Sequence, residues 1–529
     1  MIDISPHNKV QCCGCAGCAQ VCPAHCIVLE PDEEGFLYPR VDVDACINCG
    51  RCEAVCPVIA RRSTSDSREN DPSQTHAFGG YHADADVRQD SSSGGAFTML
   101  AEWALSQGGV VYGCALDEHM VARHQRVADA ADLSKLRRSK YVQSDTRGIY
   151  ASVRKDLRDG RRVLFVGTPC QVAGLRTFLG KDYPTLLTCD FICHGVPSPR
   201  VFADYLRSVE KRHGSTIQTY RFRTKDKGWS SSALQLGTEA ILASGVRVRN
   251  YPAFRDSFMC GFLCDLYLRP ICHDCPFKEL PRHDADVTIA DFWGVRKDYP
   301  ELDDKKGTSL LLAHSDKALG FLQQVDSGFT LVECSVPKAT RANVMLTTST
   351  PYNAKREDFF RVYRREGYEA AERKFLGAHH WFFRKVALVL GGNGLIAQAI
   401  KFCMVGVTNF AISYLINLAT LWILRPLDWQ YDYVIANIMG FLLSVLWSFY
   451  WNSHYVFGGE DKGKGFGLKA LLRTYASYAF TGLVLNNVLS TIWIGVLGLP
   501  KWVAPILNLP FSVPANFLLS KLWAYRRDA

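Results

Sequence analysis

The distribution of apolar and charged residues divides the chain near Lys385. Most charged residues precede this point, whereas apolar runs dominate from Phe402 to Trp523. A helix needs roughly 20 mostly apolar residues to cross a bilayer, and residues 402–424 meet this length without a charge. We therefore predict four membrane-spanning helices, at residues 402–424, 434–451, 475–497 and 502–519.

Between the N-terminal region and the apolar region, segments typical of strands alternate with segments typical of helices. Residues 161–167 form a continuous apolar run that indicates a buried strand, and a helical pattern follows it through Phe178. Further strands are predicted at 186–192 and 287–291, and a charged amphipathic helix at 358–376. This alternation over residues 74–376 favours an α/β or α+β body.

Length, charge and cysteine content narrow the class of protein. A chain of 529 residues must divide its core among several units. The net charge of +9 does not indicate a nucleic-acid partner, because many basic residues lie just ahead of the apolar segments, where membrane topology and anionic headgroups explain them. The N-terminal ten residues are polar and lack the apolar core of a secretory signal. Ten of the 20 cysteines fall within the first 56 residues at metal-ligand spacing, so we expect a reducing cytoplasm rather than disulfides.

Two cysteine runs of identical spacing lie within the N-terminal 60 residues. Each run has three cysteines separated by two residues, then a fourth cysteine after three more residues and a proline. In two-cluster ferredoxins of this spacing, the fourth cysteine of each run ligates the other cluster. We predict two [4Fe–4S] clusters, one held by Cys12, Cys15, Cys18 and Cys56 and the other by Cys46, Cys49, Cys52 and Cys22.

Zinc is the alternative metal, because two pairs of cysteines, each pair separated by two residues, suffice to bind one zinc ion. Two complete four-cysteine runs, each closed by proline, fit zinc poorly. Cys13 and Cys26 lie outside the spacing, and we expect them to be small buried thiols beside the clusters.

Three features of the body suggest a further cofactor. Serines and glycines at 91–95 precede a predicted helix at 96–106, which suits a phosphate site, although a plain capped turn has the same sequence. Thr168 lies where a strand gives way to a helix, a position at which α/β folds gather ligands. The scattered cysteines Cys170, Cys193, Cys272 and Cys275 would complete a third cluster.

These motifs resemble the beta subunits of coenzyme F420 hydrogenases and dehydrogenases. They occur in the family's order over residues 74–376, in the segments 93–96, 139–141, 166–171, 193–199, 272–278 and 286–294. The resemblance implies FAD and a further [4Fe–4S] cluster in the body. It places Ser93, Gly94, Gly95, Lys140 and Thr168 at the flavin, and Cys170, Cys193, Cys272 and Cys275 on iron.

Other ligand sets stay open for the third metal site. Cys189, Cys260 and Cys264 form a looser group, which burial as structural thiols would equally explain. His273 and His283 would instead complete a zinc site with the cysteine pair at 272 and 275.

The C-terminal region resembles the GtrA-like four-helix membrane family in segments 401–409 and 449–457. That family is linked to the handling of polyprenyl-linked sugars in surface polysaccharide synthesis. Basic residues lie before the first predicted span, between the second and third, and after the fourth, so the positive-inside rule places both termini in the cytoplasm. Asparagines near membrane depth, such as Asn452, either form interhelical hydrogen bonds or line a path for a headgroup.

Together these features predict a multi-domain fold class. The predicted parts are an α+β ferredoxin-like dicluster module at 1–60, a linker at 61–73, an α/β (α+β) flavin-binding body at 74–376, a juxtamembrane segment at 377–394 and an all-α four-helix transmembrane domain at 395–526.

The predicted function is that of an iron–sulfur flavoprotein oxidoreductase in the cytoplasmic membrane. It would take electrons from a ferredoxin-type or other donor and reduce an unidentified acceptor in cell-surface polysaccharide or lipid-linked sugar metabolism. Its expected partners are the lipid bilayer, the electron donor and a polyprenyl-linked sugar, with no nucleic acid and no identified catalytic residue. Two alternatives stay open: a membrane-tethered F420-dependent oxidoreductase, and a polyprenyl-linked sugar translocation or assembly protein with a redox-sensing domain.

Overall fold

The computed structural model describes residues 6–63, 75–226, 228–229, 236–278, 283–324, 328–376, 395–427, 432–457, 468–497 and 504–525. The chain divides into two compact units, Met1–Trp381 and Phe382–Ala529. The predicted juxtamembrane segment 377–394 and most of the predicted linker 61–73 lie outside the described residues.

The N-terminal module is a small α+β unit built on a two-stranded hairpin. Strand β1 (Ile27–Pro31) pairs antiparallel with strand β2 (Leu37–Val41). Asp32 stabilises the connection, because its carboxylate accepts hydrogen bonds from the backbone N–H groups of Glu34 and Phe36. The module also contains a 3-10 helix, Pro6–Gln11, and the α-helices Gly17–Val21, Arg51–Ala54 and Pro57–Ser63. The last helix extends past the predicted module boundary at residue 60.

The strands of the body form two sheets. In chain order they are β3 (His76–His82), β4 (Val110–Leu116), β5 (Ala122–Val127), β6 (Val163–Val166), β7 (Leu186–Phe191), β8 (Ile217–Thr224), β9 (Gly237–Leu242), β10 (Arg247–Asn250), β11 (Val287–Asp291), β12 (Ser309–Ala313) and β13 (Phe329–Cys334). Eight of them make one mixed sheet in the order β13-β3-β12-β11-β7-β6-β4-β5. The other three make an antiparallel sheet in the order β10-β9-β8.

The helices of the body cover both faces of the large sheet. Along β6, Val163 and Phe165 pack in one core with the helix Pro169–Leu179, whereas Leu164 and Val166 pack in a second core with the helix Ala96–Ser106. The remaining α-helices are Ala85–Gln89, Ile149–Arg158, Pro199–His213, Ser257–Phe262, Val295–Asp298, Asp316–Leu322, Val336–Thr340, Arg356–Glu366 and Tyr368–Leu376. The 3-10 helices are Ala130–Lys135, Ala253–Arg255, Pro270–Asp274, Pro300–Leu302 and Val344–Leu346.

Strands β4, β6, β7 and β11 run parallel, so their carboxyl ends lie at one edge of the sheet. Ligands of open α/β sheets gather at such an edge. The predicted strands at 161–167, 186–192 and 287–291 are confirmed by β6, β7 and β11. The predicted single helix at 358–376 is wrong, because Gly367 takes a φ of 82° and separates two helices there.

A buried ion pair joins the N-terminal module to the body. The guanidinium of Arg356 donates two hydrogen bonds to the carboxylate of Glu34, one of them at 3.0 Å. The same guanidinium donates to the carbonyl oxygen of Leu268, and both charged side chains are buried. Next to this pair, Glu33 forms a solvent-exposed pair with Arg364.

Glu34→Gln should lower the free energy of unfolding by about 3–5 kcal/mol, because it leaves the buried guanidinium of Arg356 with only the exposed carboxylate of Glu357, 3.7 Å away, as a counter-charge. Glu33→Gln is the matched control and should cost less than about 1 kcal/mol, since exposed pairs contribute little. Chemical denaturation of the detergent-solubilised chain, followed by tryptophan fluorescence, gives both values. Equal losses of unfolding free energy for the two variants would contradict the stabilising role of the buried pair.

The second unit is helical throughout its described residues. Its α-helices are Leu395–Leu424, Asp432–Trp451, Leu468–Ala479, Asn486–Thr491 and Ala504–Leu519, with a 3-10 turn at Arg425–Leu427 and π-helical turns at Asn452–Val456, Phe480–Leu485, Ile492–Val496 and Ser520–Ala524. Among the described residues, one helical stretch is long and apolar enough to cross a membrane: Gln398–Leu427, which lies within the first helix and the 3-10 turn that follows it. The π-helical turns divide the third predicted span, and the fourth contains Pro510 and Pro514.

Polar side chains connect helices inside the second unit. The hydroxyl groups of Ser448 and Tyr478 lie 2.8 Å apart, and the Nδ2 of Asn452 donates to the hydroxyl oxygen of the same Tyr478 at 3.4 Å. Thr481 donates to Asn516 at 2.7 Å. Asn452 and Asn516 thus form interhelical hydrogen bonds, one of the two roles expected for the asparagines.

Candidate metal and cofactor sites

The first cavity of the N-terminal module is surrounded by cysteines from both runs. It is lined by Cys12, Cys15, Cys18 and Cys56. Gly14 and Ala16, with φ values of 73° and 62°, take the left-handed conformation that curves the first run around this cavity. The four cysteines predicted for one cluster therefore face a single space.

The second cavity is surrounded by the four cysteines predicted for the other cluster. It is lined by Cys22, Cys46, Cys49 and Cys52. Gly50 takes a φ of 71° and precedes the helix Arg51–Ala54, which carries Cys52. Cys26 lines this cavity as well, and its Sγ lies 3.4 Å from the Sγ of Cys22. Each run thus contributes its fourth cysteine to the cavity of the other run.

A third cavity lies at the carboxyl edge of the large sheet. It is lined by Cys170, Cys193, Cys272 and Cys275. Cys170 follows β6 in the first turn of its helix, Cys193 follows the neighbouring strand β7, and the other two lie in or next to the 3-10 helix Pro270–Asp274. Glycine at position 195 lets the backbone after Cys193 come close to Cys272, because an added Cβ would lie 3.3 Å from the Cβ of Cys272.

The pKa values of these thiols show how they would respond to a bound cation. All 20 cysteines are free. Burial raises the pKa of Cys272 to about 11 and that of Cys275 to about 12, so both thiols hold their protons at neutral pH until a cation replaces them. A hydrogen bond from Cys13 lowers the pKa of Cys170 to about 7. Soft thiolates in sets of four are the donor set of a [4Fe–4S] cluster, so the three sets fit that group.

A single metal ion fits this arrangement less well. Over the described ranges, no group of three or more His, Cys, Asp or Glu is gathered closely enough to hold one ion. The Nδ1 of His273 lies 3.1 Å from the carbonyl oxygen of Pro351, and His283 hydrogen-bonds to Thr288 and pairs with Asp190. Neither histidine lines the third cavity, and the same holds for Cys189, Cys260 and Cys264.

The serine–glycine segment lies against β3 and β12. An added Cβ at Gly94 would lie 2.4 Å from the carbonyl oxygen of Gly80, so only glycine fits there. The N–H of Gly94 donates to Ser309 at 2.9 Å, and the hydroxyl of Ser93 donates to the carbonyl oxygen of Thr308 at 2.7 Å. The segment is thus fixed to the sheet by internal hydrogen bonds, as a capped turn would be. The same bonds place the following helix N-terminus at the carboxyl edge of the parallel strands.

Of the other three residues assigned to the flavin, Gly95 and Thr168 lie at helix starts and Lys140 lies in the loop after the 3-10 helix Ala130–Lys135. Gly95 takes a φ of 95° at the start of its helix. The ammonium of Lys140 donates to backbone carbonyls, including that of Arg137, and burial lowers its pKa to about 8. Thr168 lies at the start of the helix after β6, with its hydroxyl 3.1 Å from the Sγ of Cys170. Within the described residues, no hydrogen bond joins Ser93, Lys140 and Thr168 directly.

Two basic residues beside the serine–glycine segment escaped the sequence analysis. The ammonium of Lys225 donates to the carbonyl oxygen of Ser93 at 2.5 Å, and burial lowers the pKa of Lys225 to about 7. Arg223 is buried and pairs with Asp291 at 2.6 Å, at the carboxyl end of β11. The two basic residues are two positions apart at the end of β8, so they share a face. This two-residue spacing is the feature of the sequence that could have indicated the basic pair.

Three known families match successive parts of the chain. Residues 11–60 match the 4Fe–4S dicluster domain, residues 160–335 the C terminus of the coenzyme F420 hydrogenase/dehydrogenase beta subunit, and residues 401–525 the GtrA/DPMS transmembrane domain.

Individual relatives match the N-terminal module. NADH-quinone oxidoreductase subunit I 2 of Geobacter metallireducens is 40% identical over 65 residues, which are 11% of this chain and 50% of that protein. Ferredoxin 7Fe of Hydrogenibacillus schlegelii is 51% identical over 45 residues, 8% of this chain and 51% of that protein. The chain thus spans about half the length of these two relatives.

Among solved structures, a chain of the F420-reducing [NiFe] hydrogenase complex from Methanosarcina barkeri aligns with a TM-score of 0.32 and 15% identity. The alignment covers 57% of this chain and 93% of the hydrogenase chain. The three family matches follow one another along the sequence in the predicted order. The chain therefore joins, in this order, regions that match the 4Fe–4S dicluster domain, the C terminus of the coenzyme F420 hydrogenase/dehydrogenase beta subunit and the GtrA/DPMS transmembrane domain.

Proposed function

We propose that this chain is a membrane-anchored iron–sulfur flavoprotein oxidoreductase. The observation that carries the proposal is the set of three cavities, each lined by four cysteines that the sequence assigned to one cluster. Iron–sulfur clusters supply one-electron transfer, and a flavin links one-electron to two-electron chemistry. The residues that would hold these groups all lie in one compact unit, Met1–Trp381.

The arrangement of the cavities sets an order for electron transfer. Cys13 lines both the first and the third cavity, whereas the second cavity shares no lining residue with the third. The second set of cysteines, which includes the exposed Cys49, is therefore the entry point for a ferredoxin-type donor. The third set lies next to one of the residues assigned to the flavin, because Thr168 contacts Cys170.

The flavin is proposed as FAD at the carboxyl edge of the large sheet. Ser93, Gly94 and Gly95 precede a helix N-terminus, where backbone N–H groups and the helix dipole favour a phosphate. Lys225 adds a cation beside this segment, and all three acceptors of its ammonium are neutral backbone carbonyls. These features support a diphosphate at this edge.

The C-terminal domain is proposed to cross the membrane four times, with both termini in the cytoplasm. The family match and the apolar helices of the second unit support this topology. The acceptor is proposed to belong to cell-surface polysaccharide or lipid-linked sugar metabolism, because the redox domain is fused to a GtrA-type domain. Reduction of F420 by the purified protein would instead favour a tethered F420-dependent oxidoreductase.

Binding of FAD is tested through Lys225. Because burial holds the pKa of Lys225 at about 7, its ammonium is mostly protonated below this pH and mostly neutral above it. FAD affinity should therefore fall as the pH rises from 6 to 9. Lys225→Met should weaken binding by roughly 10- to 100-fold at pH 6, the loss of about 1.5–3 kcal/mol from a charged hydrogen bond, and should flatten the pH dependence.

Lys306→Met is the matched control, since Lys306 is exposed and its backbone carbonyl, not its side chain, contacts Lys225. Fluorescence titration of deflavinated protein with FAD measures the affinities. Unchanged affinity and an unchanged pH profile in Lys225→Met would remove the proposed diphosphate site, whereas the clusters would be unaffected.

A further inference from the structure

Arg269 is a fully buried guanidinium between two of the cysteine-lined cavities. Its exposed fraction is 0%, and it is the largest completely buried side chain of the described residues. It lines the third cavity. Its Nη2 lies 3.5 Å from the Sγ of Cys12, which lines the first cavity.

All of its hydrogen-bond acceptors within the described part of the chain are uncharged. The Nε donates to the carbonyl oxygen of Cys12 at 2.7 Å, the Nη1 to the side chain of Gln143 at 2.9 Å, and the Nη2 to the carbonyl oxygen of Leu37 at 2.9 Å. The rings of Tyr38 and Phe36 lie 4.2 and 5.4 Å from its central carbon. These contacts satisfy the donors but do not supply a negative charge.

A buried charge of this kind is costly unless a counter-charge offsets it. The proposed clusters would supply one, because a [4Fe–4S] cluster with four thiolates is negative in both oxidation states. We propose that Arg269 is the shared counter-cation of the first and third clusters and raises the reduction potential of both. The inference rests on the proposed function, and it assigns to Arg269 a positioning and tuning role rather than a catalytic one.

The sign of the effect follows from electrostatics. Reduction adds one electron to a cluster, so a nearby positive charge stabilises the reduced form more than the oxidised form. Net charge and hydrogen bonds to the sulfurs are known determinants of cluster potentials. The second cavity is lined by neither Arg269 nor Cys13, so its cluster provides an internal reference.

A purely structural role of Arg269 can be distinguished from a charge role with control variants. Arg269 also holds the first cysteine run against the body through Cys12 and Leu37. Thr146 contributes to the same attachment without charge, because its hydroxyl donates to the carbonyl oxygen of Cys15 at 2.9 Å. Thr146→Val is therefore the matched control for loosening the run, and Arg269→Lys keeps the charge but not the planar fork.

The test is a potentiometric titration of the full chain in detergent, followed by electron paramagnetic resonance, together with iron analysis. Arg269→Met should retain iron and shift the midpoint potentials of the first and third clusters to more negative values. The midpoint potential of the second cluster should not change. Arg269→Lys should return both midpoints toward those of the wild type. Thr146→Val should shift none of them.

Normal iron with unshifted midpoints in Arg269→Met, or an equal shift of all three, would overturn the inference. If Arg269→Met loses iron, Arg269→Lys decides: retention of iron supports the charge role, and equal loss in both variants overturns it. A wild-type chain with about eight irons would count against the third cluster of the proposed function. The midpoint of the first cluster would then still decide the role of Arg269.

Discussion

Anaerobically purified protein should contain about twelve irons per chain, four for each of the three cysteine sets. Cys170→Ser should lower this value to about eight, because a hydroxyl is a poor substitute for a soft thiolate. The first and second cavities do not include Cys170, so their clusters should remain. Iron and acid-labile sulfide per chain are the measurements.

Cys264→Ser is the matched control, because Cys264 is half-buried, lies in the same body and lines no described cavity of this kind. Its iron content should equal that of the wild type. A reproducible wild-type value near eight irons, unchanged in Cys170→Ser, would show that the third set holds no cluster. The two N-terminal clusters would survive that result.

The cysteine sets were predictable to a large extent because their spacing is local. The exchange of fourth cysteines between runs follows from the spacing alone, and the structure places Cys56 with the first run and Cys22 with the second. The third set needed the family resemblance, since Cys170 and Cys272 are far apart in sequence. Strand β6 and the helix after it were predictable because their apolar runs are continuous.

The residues that connect the sites were not predictable from the sequence. Arg269 belongs to no repeated spacing, and its role arises when the chain brings it against Cys12 and Gln143. Lys225 becomes relevant because β8 lies near the serine–glycine segment, which is a tertiary contact. The break at Gly367 was missed because the charged pattern continues across it, while the backbone takes a positive φ.

The orientation of the second unit can be tested with a reporter that is active only in the cytoplasm. We expect activity when it is fused after Ala529 or inserted near Gly465, and no activity near Trp429; all three positions lie outside the described residues. Four spans return the chain to its starting side, and short basic loops resist translocation. Cysteine thiols also favour this orientation, because an oxidising compartment would convert them to disulfides.

The loop between the second and third predicted spans provides the sharpest test of the physical cause. Lys462→Gln with Lys464→Gln should reduce reporter activity near Gly465, whereas Glu460→Gln with Asp461→Asn should leave it unchanged, because acidic residues contribute little to orientation. Equal effects of the two pairs would contradict the positive-inside argument. An inactive reporter after Ala529, combined with an active one near Gly465, would show an odd number of spans between Gly465 and the C-terminal residue. Either the third predicted span, which π-helical turns divide, or the fourth, which contains Pro510 and Pro514, would then not cross the membrane.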